Sequence, residues 1–216
     1  MKPIAVLTGM MIALCGGVVS CFTPQFFTVT IYDSPQRVVR LKTVSSDESG
    51  QGYSHPATIS VERMTKMLKG FYVEEEETAY SSPGVRHRAL SDREAEFFAP
   101  LFVKGLQQAT PEEIVTFFET AEISELYEAT TSGGIFVKDQ TFHMILSNYN
   151  VKTLIWRDNS EYEAPFRLRP LEPISPEPGR LVFEPSQFMV KLQRLSWFDK
   201  LKGEPWHAAV SYMDIP

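Results

Sequence analysis

The chain has 216 residues, of which 43% are hydrophobic and 22% are charged, an ordinary globular composition that excludes wholesale disorder. Its formal net charge is −6, whereas a nucleic-acid-binding protein needs an excess of Lys and Arg to displace phosphate counterions. We therefore expect no nucleic-acid partner. The length suffices for one domain with a sizeable core, or at most two small ones.

The N-terminal segment has the pattern of a secretory signal peptide: a basic start at Lys2, an apolar stretch over residues 3–14, and small residues at Gly16 and Gly17. It ends in Val18-Val19-Ser20-Cys21, which resembles the lipobox of bacterial lipoproteins. The resemblance covers about the first tenth of the chain. It implies that residues 1–20 are removed and that Cys21 is the site of lipid attachment, with a diacylglyceryl thioether on its sulfur.

Two other interpretations of this segment compete with the lipobox. An uncleaved anchor helix over residues 4–22 nearly reaches the roughly 20 residues needed to span a bilayer, but Gly16-Gly17 interrupts it and no basic cluster follows it. A disulfide between Cys15 and Cys21 requires that no cleavage occurs between them.

The resemblance also implies an address. In the sorting pattern of Gram-negative lipoproteins, Asp directly after the lipid-bearing Cys retains the protein in the inner membrane, and this chain has Phe22 there. We expect the outer membrane, facing the periplasm. In a Gram-positive cell, the same segment implies the outer face of the plasma membrane. The expected partners are the membrane, through the lipid at Cys21, and an unknown protein of the envelope.

The first half of the remaining chain alternates β-prone and helical patterns. Residues 26–32 and 37–44 predict two strands, and residues 45–56 predict a loop. Ser60 is a candidate N-cap for a helix that ends at Gly70. A strand is expected to begin at residue 71 and to run into four consecutive glutamates, residues 74–77, which we interpret as a solvated edge or loop mouth.

The second half begins with a capping box, Ser91 and Glu94, which predicts a helix to Ala109 that Pro100 kinks or splits. Residues 114–118 predict a strand, and residues 133–138 and 141–148 predict a β-hairpin. Six prolines in residues 165–185 predict a stiff excursion, broken by a strand at 181–183. Together these elements predict a single α+β domain, residues 21–216, with an antiparallel or mixed β-sheet packed by about two helices.

The segment at residues 188–202 has four basic residues and one acidic residue, and its apolar pattern fits a helix or, at its start, a strand. As a helix with Trp, Phe and Lys, it could lie on a membrane surface or dock a partner. The alternative is an element whose apolar side faces the core and whose basic side faces water.

No pattern in the sequence identifies a catalytic centre, a metal site or a cofactor site. Metal-ligand pairs, a phosphate-binding glycine loop and a nucleophile elbow are all missing. Isolated histidines remain. His55 could act as a general base with Asp33 or Asp47, and His143 could do so with Asp139. We expect both to be structural instead.

His87 lies between Arg86 and Arg88, a cluster that could contact an anionic headgroup or an acidic partner, or be an ordinary exposed loop. The sequence thus predicts a membrane-tethered envelope lipoprotein that is a non-catalytic binding or assembly component. Two alternatives remain open. One is an envelope hydrolase that uses His55 or His143 with a carboxylate. The other is a lipid or small-molecule carrier with a cavity lined by some of the fifteen phenylalanines.

Overall fold

A computed structural model describes residues 27–44, 52–75, 86–155, 165–175, 178–192 and 206–215. The lipobox and Cys21, together with Asp47 and residues 193–202, lie outside these ranges. Within them, none of the helices has the length and apolar character needed to cross a membrane.

The described residues form an α+β fold, as predicted, and every strand pairing is antiparallel. In chain order the elements are β1 (Phe27–Asp33), β2 (Arg37–Thr43), α1 (Val61–Lys69), β3 (Phe71–Glu75), β4 (Arg86–Arg88), α2 (Asp92–Gln108), β5 (Glu113–Glu122), β6 (Tyr127–Lys138), β7 (Thr141–Leu154), β8 (Gly179–Phe183) and β9 (Trp206–Ser211). A six-stranded sheet has the order β1-β2-β5-β6-β7-β9, and a three-stranded sheet has the order β4-β3-β8. The chain therefore crosses between the two sheets four times.

Both helices begin at the residues that the sequence predicts. The Ser60 side chain accepts the Arg63 N–H at the start of α1. At the start of α2, Ser91 and Glu94 each accept a hydrogen bond from the other's backbone N–H, which completes the capping box. α2 runs through Pro100 without a break, so the helix is not split there. The proline ring is exposed, while the buried flanking residues hold both halves of the helix on the core.

The main apolar core lies between the six-stranded sheet, the helices and the small sheet. Phe98 and Phe102 of α2 stack on each other, and both contact Phe117 of β5. From the small sheet, Phe71 of β3 contacts Phe183 of β8 and Phe142 of β7. Each fully buried phenylalanine contributes about 1.5–3 kcal/mol through the hydrophobic effect, so this aromatic group dominates the packing of the helices on the sheet.

Residues 165–175 cross the opposite face of the six-stranded sheet, and we call them the strap. At one end, Arg167 donates to the backbone oxygens of Ser34 and Pro35 and pairs with Asp33. Leu171 is buried in a second apolar cluster with Val44, Tyr53, Ile114, Phe136 and Ile145. A Cβ on Gly134 would lie 3.0 Å from the Leu171 Cδ2 atom, so the glycine leaves room for this side chain. The strap, which is part of the proline-rich excursion, therefore covers the sheet. The strand that the sequence predicts at residues 181–183 lies within β8.

The predicted hairpin at residues 133–148 is confirmed and is longer than expected, because β6 and β7 continue to Tyr127 and Leu154. Its turn has Asp139 and Gln140 at φ 49° and 63°, the left-handed region that two-residue hairpin turns require. Beyond it, Met189 forms a bridge to Val210 of β9, and residues 190–192 are not helical. The described start of the C-terminal segment, residues 188–192, is thus neither an α-helix nor a regular strand, and it joins β9 through this bridge and the Val190 N–H, which donates to the Ala209 carbonyl at 2.9 Å.

The expectation of a solvated edge or loop mouth is wrong for Glu74, while Glu76 and Glu77 lie outside the described residues. β3, which begins the glutamate run, is the central strand of the small sheet. Glu74 is half-buried there and pairs with Arg180 and Arg86 of the neighbouring strands, so cross-strand cations offset its charge.

Candidate functional site

His55 is buried and forms a hydrogen bond with the backbone of β6. Its Nε2 atom accepts the Val137 N–H at 3.0 Å, and the neighbouring Ser54 N–H donates to the Val137 carbonyl at 2.8 Å. Burial lowers the pKa of His55, which keeps the ring neutral and able to accept this bond. Of its two suggested partners, Asp33 pairs instead with Arg40 and Arg167, and Asp47 lies outside the described residues.

His143 pairs with a second histidine, His207, which no sequence motif indicates. Its Nδ1 atom lies 3.0 Å from the Nε2 atom of His207 in β9. The two ring centroids are 5.2 Å apart, so the two hydrogen-bonded nitrogens lie between the rings and the rings do not stack on each other. Asp139, the suggested partner of His143, lies at the hairpin turn, where its N–H donates to the Ser54 hydroxyl.

Burial favours the uncharged form of the histidine pair. The His143 ring stacks on Phe136 with centroids 4.4 Å apart, and burial lowers the pKa of His143 to about 3 and of His207 to about 4. In the neutral pair one nitrogen donates and the other accepts, whereas two imidazolium rings would both be donors. His55 and His143 thus make structural contacts to a backbone amide and to another imidazole. The catalytic hydrogen bond to a carboxylate that the hydrolase hypothesis requires is not among their described contacts.

The arginines around His87 are paired. Arg86 forms ion pairs with Glu74 and Glu184, and Arg88 lies 3.1 Å from Asp92. Hydrogen bonding from Arg180, followed by the charges of Arg180 and Arg86, lowers the pKa of Glu74. The cluster that the sequence suggested for an anionic headgroup is therefore largely neutralised by neighbouring carboxylates.

A polar cleft of about 320 Å³ opens at the start of α2, and we call it the α2 cleft. It is lined by Arg88, Ala89, Ser91, Asp92, Glu94, Thr131, Tyr149 and Asn150. The junction between β4 and α2 forms one wall, and β6 and β7 form the other. The Tyr149 hydroxyl joins the two walls by donating to the Arg88 carbonyl at 3.1 Å.

A β-bulge shapes the second wall of the α2 cleft. The register of β6 against β7 shifts between Thr130 and Ser132, which leaves an extra residue in β7. Asn150 takes up the extra length at φ 50°, a conformation that asparagine tolerates better than most residues, and its N–H donates to the Thr131 hydroxyl at 3.2 Å. The bulge leaves the Asn150 side chain exposed at the mouth of the cleft.

Arg88 lies 3.1 Å from Asp92, so two further carboxylates, Glu94 and Glu119, give the remaining negative charge of the α2 cleft. Glu94 lines it and accepts the Ser91 N–H at 2.6 Å. Glu119 lies behind the lining as the cross-strand partner of Thr131, is 5% exposed, and accepts a hydrogen bond from Arg37 at 2.6 Å. Burial, reinforced by the charge of Glu94, raises the pKa of Glu119. The Glu119 Oε2 atom is buried and has no hydrogen-bond partner among the described residues.

The sequence signals only part of this site. The capping box places Glu94 correctly, but a cap alone gives no reason to expect a cleft. Glu119 lies one residue beyond the strand that the sequence predicts at 114–118, and the bulge that exposes Asn150 depends on strand pairing. The chain matches no protein-family model, and comparison with curated proteins and with solved structures gives no match.

Proposed function

We propose that this chain is a lipid-anchored protein of the bacterial cell envelope, a non-catalytic binding component whose ligand site is the α2 cleft. The observation that carries the binding role is the cleft itself, a concave polar surface in which several side chains converge. Its polar lining differs from the phenylalanine-lined cavity that a lipid carrier would need. The structural contacts of His55 and His143 add support for a role without catalysis.

The envelope address rests on the Val18-Val19-Ser20-Cys21 motif, with Phe22 favouring the outer membrane in a Gram-negative cell. Mass spectrometry of the mature protein should find Cys21 as the first residue and carrying lipid. Replacement of Cys21 by Ser should leave an unprocessed chain, whereas the same change at Cys15 should have no effect on processing. An intact Met1 on the wild-type protein would contradict this part of the proposal.

We propose further that residues 21–216 form one domain. The four crossings between the sheets support this, because each sheet needs strands from distant parts of the chain. Urea unfolding should then show one transition with the same midpoint in far-ultraviolet circular dichroism and in tryptophan fluorescence. Two separated transitions would indicate two domains.

The binding role is tested by nuclear magnetic resonance with a set of small cationic, anionic and neutral polar compounds added to the soluble chain from residue 22. We expect at least one compound to shift the amide signals of Glu94, Thr131 and Asn150 together, since these residues line the cleft from both walls. Shifts confined to other surfaces, or no shifts with any compound, would argue against the α2 cleft as the ligand site.

A further inference from the structure

We infer that the α2 cleft is selective for a primary ammonium group on a small ligand or on a side chain of a larger one. The inference rests on the proposed binding function and specifies the chemical class of the ligand. It follows from the balance of charge in the cleft, from the acceptors on its walls and from its size.

The charge balance favours a cation. Arg88 is the cation of the lining, and it is already engaged with Asp92 at 3.1 Å and with the Lys69 carbonyl at 3.0 Å. Glu94 accepts one backbone N–H through Oε2, and no ion pair to it is found in the part of the chain that the structure describes. Its negative charge therefore faces the cleft without a balancing cation.

Glu119, which lies behind the lining of the cleft, strengthens the preference for a cation. Glu94 and Glu119 repel each other, and Arg37 forms an ion pair with Glu119. A positive charge in the cleft would offset the repulsion in a place where burial of Glu119 reduces screening by water.

An anion is disfavoured although the site lies at a helix N-terminus. The Ser91 hydroxyl already accepts the Glu94 N–H, and the Glu94 carboxylate already accepts the Ser91 N–H. These two N–H groups are therefore not open to an incoming phosphate or carboxylate, which would also meet the charges of Asp92 and Glu94 at close range.

The oxygen acceptors on the walls suit an ammonium rather than a metal ion. A primary ammonium has three N–H donors, and Glu94, Asn150 and Thr131 offer oxygen acceptors from both walls. Ca²⁺ would need about six to eight oxygens, and no group of three or more His, Cys, Asp or Glu side chains placed to hold a metal occurs in the described ranges. The lining also contains the aromatic ring of Tyr149, whose centroid is 6.4 Å from that of the Trp206 ring.

The size of the cleft limits the ligand. About 320 Å³ lies at the lower end of the roughly 300–1,000 Å³ range of small-molecule sites, which matches an amino acid side chain or a short amine. A ligand that carries its amine on a longer body would leave that body outside the open mouth of the cleft.

The test is calorimetric titration of the soluble chain from residue 22 with acetyl-lysine methylamide, whose side-chain amine is free. Acetyl-norleucine methylamide, which has a similar chain without the amine, and acetate serve as comparison probes. We expect binding of the lysine probe, weakened by added salt, and no measurable binding of the other two.

Two matched variants assign the binding to the cleft. Glu94→Gln removes the charge but retains a side chain that completes a capping box, so we expect a folded protein that binds the lysine probe about tenfold more weakly. Glu96→Gln makes the same change on an exposed position of α2 outside the cleft, and its affinity should equal that of the wild type. Circular dichroism checks that both variants are folded.

The outcomes separate this inference from the proposed function. Binding of acetate or of the norleucine probe at the cleft, without the lysine probe, would retain the binding role and overturn the ammonium class. Equal affinity of Glu94→Gln and wild type for the lysine probe would also overturn it. Failure of all three probes would overturn the ammonium class, and the broader compound set would still test the binding role.

Discussion

The two faces of the six-stranded sheet are covered in different ways. Under the helices, Phe98, Phe102 and Phe117 form a dry aromatic core in which apolar area supplies the stability. Under the strap, the same strands bury Arg40, Lys42, Thr116, Thr130, Ser132 and Asn148, and the cover is fixed by hydrogen bonds and ion pairs at a few points. Both faces bury apolar clusters, but the strap face depends in addition on individual polar atoms.

This difference predicts different responses to substitution. An apolar core loses stability in proportion to the space that a substitution empties. A polar contact loses stability when one partner is removed and the other is left buried without a hydrogen bond. Substitutions on the helix face should therefore lower global stability, while those on the strap face should first release the strap.

The largest effect is expected from Phe98→Ala on the helix face. Phe98 is fully buried and contacts the rings of Phe97, Phe102 and Phe117, so the free energy of unfolding should fall by about 3–5 kcal/mol. Urea unfolding measures it. Val29→Ala, at an exposed site on β1, is the control and should change stability by less than about 0.5 kcal/mol. A small effect of Phe98→Ala would mean that the aromatic core is not the main source of stability.

Acid should weaken the strap face through His143 and His207. Their folded pKa values of about 3 and about 4 lie below the unfolded value of 6.5, so the unfolded chain binds more protons between about pH 3 and 6.5. Stability is therefore present above pH 6.5 and falls as the pH decreases, by about 4 kcal/mol between pH 7 and pH 5 for the pair.

His143→Gln supplies the control for this pH dependence, because it removes one of the two titrating rings and retains a hydrogen-bonding side chain. Unfolding free energies at pH 7 and pH 5 should differ less in this variant than in the wild type. An unchanged difference would show that the pair does not carry the acid sensitivity.

Asn148→Ala should release the end of the strap. The Asn148 amide donates to the Ser132 hydroxyl and the Glu172 carbonyl, and it accepts the Ile174 N–H at 2.7 Å. Its loss should lower the unfolding free energy by about 2 kcal/mol. Hydrogen exchange should accelerate at Ile174 before it does so in α2. Leu168→Ala, an exposed strap position, is the control and should change neither quantity.

The smallest effects come from two serines of the strap face that look alike in sequence. The Ser132 hydroxyl donates to the Pro170 carbonyl at 2.9 Å, so Ser132→Ala should cost about 1 kcal/mol. The Ser147 hydroxyl is buried without a hydrogen-bond partner among the described residues, so Ser147→Ala should be neutral or slightly stabilising. Thermal unfolding compares the two variants, and equal losses would contradict the assignment of these contacts.

Local signals explain how much of this fold the sequence predicts. Caps at Ser60 and Ser91 and the two-residue turn at Asp139 depend on neighbouring residues, so the helices and the main hairpin could be located in advance. Residues far away in the chain determine three other features: the position of β3 within its sheet, the cluster in which Leu171 packs, and the hydrogen-bond partner of His143. Period-two patterning shows which residues share a face of a strand but gives no information about which strand lies beside it.

The α2 cleft illustrates the same limit. The capping box is a local signal, whereas the bulge at Asn150 and the burial of Glu119 appear only when β5, β6 and β7 are aligned. A single acidic residue at the end of a predicted strand gives no indication that it will be enclosed.

The four crossings between the sheets have a consequence for the order of folding. β2 acquires its second neighbour only when β5 has been made, and β3 acquires one of its two neighbours only when β8 has been made, about a hundred residues later. A chain that emerges N-terminus first must therefore carry unpaired strand edges for most of its synthesis or transport. We expect slow folding, and we expect a chain that lacks β9 to expose the edge of β7 and to aggregate.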